Sequence, residues 1–261
     1  MPVSAVWDSA DGRNWVRAAD PAPSFVAVGP HGLTGAFTSQ LASGSPSVRF
    51  AVSADGFAWT SASGTFEADV RGLATAPDGM ALAVGDVPGA PRTDGSPTTD
   101  VVVWRSDGTT WTGPEVIAHD ALPLAVTADA HGFLMVALVS TLLPSGSVSD
   151  TSQVWRLADG DGPRAALIPL GDEEHLDSVF LVGDALLATG DTVVNGLANA
   201  MIWVSIDGGT TWGRVADQQA FSDINNEITG VVATSDGLLA VGSRWDSVSG
   251  HPLPEVWLAG R

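Results

Sequence analysis

Three pairs of residues spaced i and i+2 carry the chemistry that this 261-residue chain offers: Asp69 with Arg71, His175 with Asp177, and Glu227 with Thr229. In an extended strand side chains alternate with period two, so each pair presents both members to one side. Arg71 ringed by acids can clamp a ligand carboxylate or sugar hydroxyls. Asp69, His175, Asp177 and Glu227 can hold a divalent cation, with Glu173 and Glu174 adding acidic density nearby. Two of these carboxylates can also divide acid and base roles, as glycoside cleavage requires. The plainer reading is a solvated rim whose charges pair among themselves. A second candidate is Arg244 with Trp245, in a Gly-, Pro- and Ser-containing loop from Ser243 to Glu255. An aromatic ring beside a guanidinium suits stacking on a sugar or clasping a peptide, and packing over a neighbouring strand explains it equally well.

What must position these residues is a repeat. The segments VAVGPHGLTGAFTS (26–39), LATAPDGMALAVGD (73–86) and VVATSDGLLAVGS (231–243) each read as two short apolar strands joined by a glycine-containing turn, and related forms run over 126–139 and 179–191. Relative to the hairpin turn, one equivalent position holds Ala22, Asp69, Leu122, His175 and Glu227, and the position two residues on holds Ser24, Arg71, Leu124, Asp177 and Thr229. Packing alone would favour small or apolar residues at both, so the charged departures need another reason. His31 and His131 fall at the turns themselves and are read as turn residues.

A second repeat alternates with the first. VWDSADGRNW (6–15), FAVSADGFAW (50–59), VVWRSDGTTW (102–111) and IWVSIDGGTTW (202–212) share an apolar run, a Ser-Asp-Gly turn and a following tryptophan; VWRLADGDGPRAAL (154–167) keeps the turn and loses the tryptophan. The turn residues Asp11, Asp55, Asp107, Asp159 and Asp207 recur every 44 to 52 residues, which is the length of one four-stranded propeller blade. Helical periodicity is absent from any long window, so the chain is expected to be all-β.

Composition narrows the functions. Eleven basic residues, all arginine, face 30 acidic ones for a formal net charge of -19, which repels nucleic acid and anionic membranes. Cysteine is absent, which removes disulfides, thiol nucleophiles and thiolate metal sites together. No apolar run approaches the roughly eighteen residues of a membrane span, and Met-Pro-Val-Ser-Ala-Val-Trp lacks the regions of a signal peptide. A soluble chain is expected, its compartment left open between the cytosol and the mature part of an exported protein.

Ser205-Ile206-Asp207-Gly208-Gly209-Thr210-Thr211-Trp212 fits the pattern S-x-D-x-G-x-T-W. It resembles the Asp-box, or bacterial neuraminidase repeat, superfamily of sialidase-like propellers. The other copies are shortened, and around Asp107 the serine has moved to Ser106. The resemblance implies a β-propeller with its boxes in structural turns opposite the ligand face. It also implies that a sialidase would need a tyrosine nucleophile, and this chain has no tyrosine. Asp159-Gly160-Asp161-Gly162 lacks the remaining ligands of a calcium loop and is read as a decayed box.

The expected architecture is therefore one domain over 1–261, an all-β propeller of about five four-stranded blades. The last blade would take its outer strand from residues near Trp15, closing the ring through both termini. The alternatives are six blades or part of a larger propeller. The expected function is non-catalytic recognition of a glycan, peptide or protein loop at the channel mouth by a monomer. The residues expected to bind are Asp69, Arg71, His175, Asp177, Glu227, Arg244 and Trp245, with no cofactor unless a divalent cation sits there. The alternative is a glycoside hydrolase using carboxylates among Asp69, Asp177 and Glu227.

Overall fold

The computed structural model describes residues 7–9, 13–17, 22–157, 164–166, 168–171, 173–194, 197–215, 226–235, 237–246 and 248–260. The turns expected at Asp11, Asp159 and Asp236 lie outside these residues. Every regular element among the described residues is a strand. None of them forms a helix long and apolar enough to cross a membrane.

A short hairpin, β1 (Trp7–Asp8) with β2 (Val16–Arg17), comes first. Five antiparallel sheets follow, each made of strands consecutive in sequence. The first holds β3 (Phe25–Gly29), β4 (Gly32–Gln40), β5 (Pro46–Ser53) and β6 (Thr60–Phe66). The second holds β7 (Asp69–Thr75), β8 (Ala81–Pro88), β9 (Thr99–Ser106) and β10 (Trp111–Ala118). The third comprises β11 (Ala121–Asp129), β12 (Gly132–Leu142), β13 (Val148–Leu157) and β14 (Arg164–Ala166), and the fourth β15 (Glu174–Val182), β16 (Ala185–Val194), β17 (Leu197–Ser205) and β18 (Gly213–Arg214). The fifth has β19 (Asn226–Thr234), β20 (Gly237–Asp246) and β21 (His251–Gly260).

This succession of up-and-down sheets is the all-β propeller pattern of about five blades that the repeat length predicts. The handover expected near Trp15 is not seen among the described residues: Trp7 pairs with Arg17 and Asp8 with Val16, and the fifth sheet has three strands. A local hairpin closes a much shorter loop than a terminus-to-terminus pairing and so orders the chain at lower entropic cost. The chain divides into two compact units, Met1–Phe133 and Leu134–Arg261, the division falling inside β12. Each unit is described by itself.

One cross-strand pairing recurs in both units. An aromatic residue on the third strand of a sheet lies opposite an alanine on the second: Phe50 against Ala36, Trp104 against Ala83, Trp203 against Ala188, and Trp257 against Ala240. The alanine leaves room for a ring that no larger side chain would. Trp104 and Trp203 are buried, and full burial of an indole removes on the order of 150–250 Å² from water, or roughly 4–6 kcal/mol at the usual area coefficient. Their Nε1 groups have no hydrogen-bond partner among the described residues, a cost of about 1–3 kcal/mol that burial of the ring outweighs. In the first unit Phe50 stacks on Trp111 with ring centroids 3.8 Å apart and meets Trp104 edge-on at 5.8 Å, joining the first sheet to the second. In the second unit Ala200, Ile228 and Ala240 pack with Ile202, Val231 and Trp257, and Arg156 donates from Nη2 to the carbonyl of Gly208 at 2.6 Å.

The Ser-Asp-Gly turns are closed by their own side chains. Ser53, Ser106 and Ser205 are buried, and each hydroxyl accepts from a turn glycine, Gly56, Gly108 and Gly209 respectively. Asp207 Oδ1 accepts from the backbone of Thr210 and Thr211, and Asp107 does the same for Thr109 and Thr110. These bonds hold both carboxyls down at about 2, with the Thr211 and Thr110 contacts the largest causes respectively. Trp59 and Trp212 both donate from Nε1 to the turn carbonyl three residues earlier. Trp111 is buried by stacking on Phe50 instead, and Trp15 is 57% exposed. The four tryptophans are therefore not interchangeable. Trp212→Ala is expected to cost about 3–5 kcal/mol in urea unfolding, as large aromatic truncations do, while Trp15→Ala stays within about 0.5 kcal/mol of the parent.

Candidate functional site

The residues singled out by the repeat sit at a β-bulge. Register along β7, β15 and β19 steps between Val70 and Gly72, Leu176 and Ser178, and Ile228 and Gly230, so the extra residues are Arg71, Asp177 and Thr229. Opposite each bulge the second strand carries a glycine: Gly85, Gly190 and Gly242. A Cβ on any of them would overlap the carbonyl oxygen of Asp69, His175 or Glu227 respectively. The bulge turns a carbonyl into space that only glycine leaves open, and it re-aims the extra side chain. The sequence signal is Leu-Ala-x-Gly followed by a polar residue, LAVGD (82–86), LATGD (187–191) and LAVGS (239–243). Its last residue faces the candidate across the ladder: Asp69 with Asp86, His175 with Asp191, and Glu227 with Ser243. Asp86 and Asp191 are the site residues that pattern reading missed, and this motif locates them.

In the first unit the charges pair with one another. Arg71 donates from Nε to Asp86 at 2.7 Å, and its Nη2 lies 3.2 Å from Asp69. Two guanidinium nitrogens are thus committed to carboxylates on either side. The adjoining pocket, of about 420 Å³, is walled by Pro46, Pro88 and Thr98 beside Asp69 and Asp86. Arg92, on the following connection, pairs with Asp120 at 2.9 Å.

The second unit is arranged differently. A pocket of about 510 Å³ has Asp177, Asp191, Asn226, Glu227, Ser243 and Trp245 on its wall. Asn226 is buried, and its Oδ1 accepts the backbone N–H of Ala200 at 2.7 Å, which fixes β19 to β17 and so places Glu227. Asp177 keeps an open face to solvent, yet its carboxyl is pushed up to about 6, first by desolvation, then by the negative charges of Asp191 and Glu227, with His175 opposing. Burial also raises Asp191, and its Oδ1 is sealed from solvent without a hydrogen-bond partner among the described residues. Glu174 is already occupied, accepting from Arg214 at 2.5 Å and from the backbone of Gly171 at 2.8 Å. Among the described residues no three His, Asp or Glu side chains come together in a metal-holding group.

Arg244 and Trp245 prove to be strand residues rather than loop residues. β20 and β21 continue their ladder through Arg244 with Leu253 and Trp245 with Pro252, leaving a tight turn after Asp246. Likewise β12 runs to Leu142 and β13 starts at Val148, so the Ser- and Thr-rich stretch from Ser140 to Gln153 is mostly extended hairpin. β-branched and small polar residues sustain a ladder as well as they populate loops. Trp245 is 43% exposed and rigidly held, and Arg244 Nε lies 3.6 Å from Glu255.

No family model matches the chain, and no curated protein matches it in sequence. Solved structures do. A Dyadobacter fermentans protein of unknown function aligns with a TM-score of 0.53 at 16% identity, over 85% of this chain and 74% of its own. The Trypanosoma rangeli sialidase aligns at 0.52 and 11% identity over 95% of this chain, which spans only 48% of the sialidase. The β-propeller domain of the Trilobed protease from Pyrococcus furiosus aligns at 0.52 and 11%, over 94% of this chain and 68% of that one. Likeness at such identity defines the fold, a β-propeller with sialidase-like relatives in structure, and nothing narrower.

Two outcomes follow from the bulge. Gly190→Ala is expected to lose about 1–3 kcal/mol or more in urea unfolding through overpacking, whereas Gly213→Ala, where a Cβ meets nothing, stays within about 0.5 kcal/mol. Asp177 is held above its unfolded value of 3.8, so its protonated form favours the fold: that stability is complete below about pH 4 and is lost as pH rises through 6. Asp177→Asn should therefore exceed the parent by about 1 kcal/mol at pH 7.5, the full shift being discounted for the solvent-facing side, and match it near pH 4. Paired urea titrations at the two pH values measure the difference.

Proposed function

We propose that this chain is a non-catalytic binding propeller, a single domain over 1–261, that takes a glycan in the pocket of its second unit. The observation that carries the reading is Trp245: a large ring, 43% exposed, held on a strand at the wall of a pocket whose polar lining is three acids, an amide and a hydroxyl. An exposed aromatic face beside convergent hydrogen-bonding groups is how sugars are gripped, since a pyranose offers an apolar face and a rim of hydroxyls. One structural neighbour is named a sialidase, which directs the reading to sugars over peptides. Sialidase chemistry itself is set aside by the absence of tyrosine. The Ser-Asp-Gly turns are Asp boxes in a purely structural role, because Asp107 and Asp207 spend their carboxylates on their own turns.

A glycoside hydrolase is the second reading, favoured by Asp177. A carboxyl raised to about 6 beside Asp191 and Glu227 is the kind of environmental split that separates a general acid from a base. A glycan array run beside a glycosidase panel tests both. Binding without turnover, weakened at least tenfold by Trp245→Ala with the melting temperature unchanged, supports the binding propeller. Turnover abolished by Glu227→Gln supports the hydrolase, and an array with no glycan retained overturns the glycan reading.

A further inference from the structure

We infer that the glycan selected by the second unit's pocket carries free amino groups, a glucosamine-type oligosaccharide, and that carboxylated sugars are refused; this rests on the reading of that pocket as a glycan site. The pocket wall contributes three carboxylates, Asp177, Asp191 and Glu227, and no cationic side chain. The chain has no lysine at all, and the arginine on the same strand, Arg244, is paired with Glu255. A sialic or uronic acid would therefore bring a further negative charge to a wall that already repels itself: the charges of Asp191 and Glu227 each push the Asp177 carboxyl upward. Among the described residues on that wall nothing answers it, and His175, across the ladder from Asp191, already opposes the rise of the Asp177 and Asp191 carboxyls.

A ligand ammonium reverses each of these terms. It brings up to three donors to a wall dominated by acceptors. Asp191 belongs to the same wall, and its Oδ1 accepts from no described residue. Charge-assisted bonds of this kind are shorter and stronger than neutral ones. Trp245, with Pro252 across the ladder from it, supplies an apolar wall to the same pocket, where a ring face attracts a cation and accepts a sugar's apolar side together. The contrast with the first unit is informative. There the same bulge position is Arg71, which answers Asp69 and Asp86 internally. In the second unit the position is Asp177, and no arginine stands at the bulge.

Three hexasaccharides test the inference on the full chain: fully deacetylated glucosamine, N-acetylglucosamine and galacturonate. Binding is followed by calorimetry and by tryptophan fluorescence. The deacetylated hexamer is expected to bind at least tenfold more tightly than the acetylated one, with galacturonate unbound, and the preference should shrink as salt is raised. Asp191→Asn is expected to bring the first two sugars to similar affinity, and Trp245→Ala to weaken both; thermal melts verify that each variant is folded. A polycation sticking to a chain of net charge -19 is distinguished with pentalysine, which should neither compete nor respond to Trp245→Ala. Galacturonate binding as tightly as glucosamine, a preference that survives Asp191→Asn, or pentalysine competing at equal strength overturns the inference while the glycan site stands. Failure of all three sugars to bind overturns the glycan site itself.

Discussion

An aromatic ring on the third strand opposite an alanine on the second is the contact on which the rest of this protein depends. In the second and fifth sheets, through period-two alternation, it constrains the residue two further along the second strand. Two residues beyond Ala83 and Ala240, on the same face, the ring edge of Trp104 or Trp257 comes within about 3 Å of where a Cβ would stand, so the position is glycine. Once a glycine is there, the first strand can bulge toward it. The packing of the core and the presentation of Arg71, Asp177 and Thr229 are thus consequences of one constraint.

The same economy explains why the turns at the other end of the third strand carry little chemistry. Their aspartates look available in sequence, being exposed and acidic. Yet Asp55, Asp107 and Asp207 each accept from two backbone N–H groups of their own turn, and a threonine hydroxyl completes the set at Asp107 and Asp207. Carboxylates so employed have few lone pairs left, and their low pKa reports bonds that are already made. Asp177 and Asp191 sit at the opposite extreme, both raised by burial and Asp177 also by the charges of Asp191 and Glu227. The protein therefore divides its acids into a satisfied class that builds hairpins and an unsatisfied class that faces a pocket.

Much of this was legible in the sequence, and what was not has identifiable causes. The hairpins at 26–39, 73–86, 126–139, 179–191 and 231–243 and the Ser-Asp-Gly turns repeat strongly enough that their strands follow from turn chemistry and apolar runs. The bulges did not show, because one extra residue per first strand is common to the copies and leaves them aligned without a gap. Asp86 and Asp191 escaped notice because they close a motif whose first four residues read as core. The pairing of Arg71 with Asp86 depends on a cross-strand register that only the bulge sets. Trp245 reads as a loop residue because serine, glycine and proline around it are turn-formers, whereas β20 and β21 keep pairing out to Asp246 and His251.

The comparison between the two units shows how a repeat protein acquires a site without changing its frame. At the bulge of the second sheet an arginine closes a three-member ion pair with Asp69 on its own strand and Asp86 on the neighbouring one, and such a half-exposed cluster contributes at most about 1 kcal/mol per pair. At the bulge of the fourth sheet the arginine's place is taken by Asp177, with His175 and Asp191 where the second sheet has Asp69 and Asp86. That substitution forgoes little stability from the lost pairs, but it converts a self-neutralised rim into a wall with a standing deficit of positive charge. The glycine, the alanine and the ring that hold the backbone are the same in both sheets. Because the frame is indifferent to the side chain carried by the bulged residue, that residue is where binding chemistry can vary from one sheet to the next, and the difference between Arg71 and Asp177 is a difference in what the surroundings must supply.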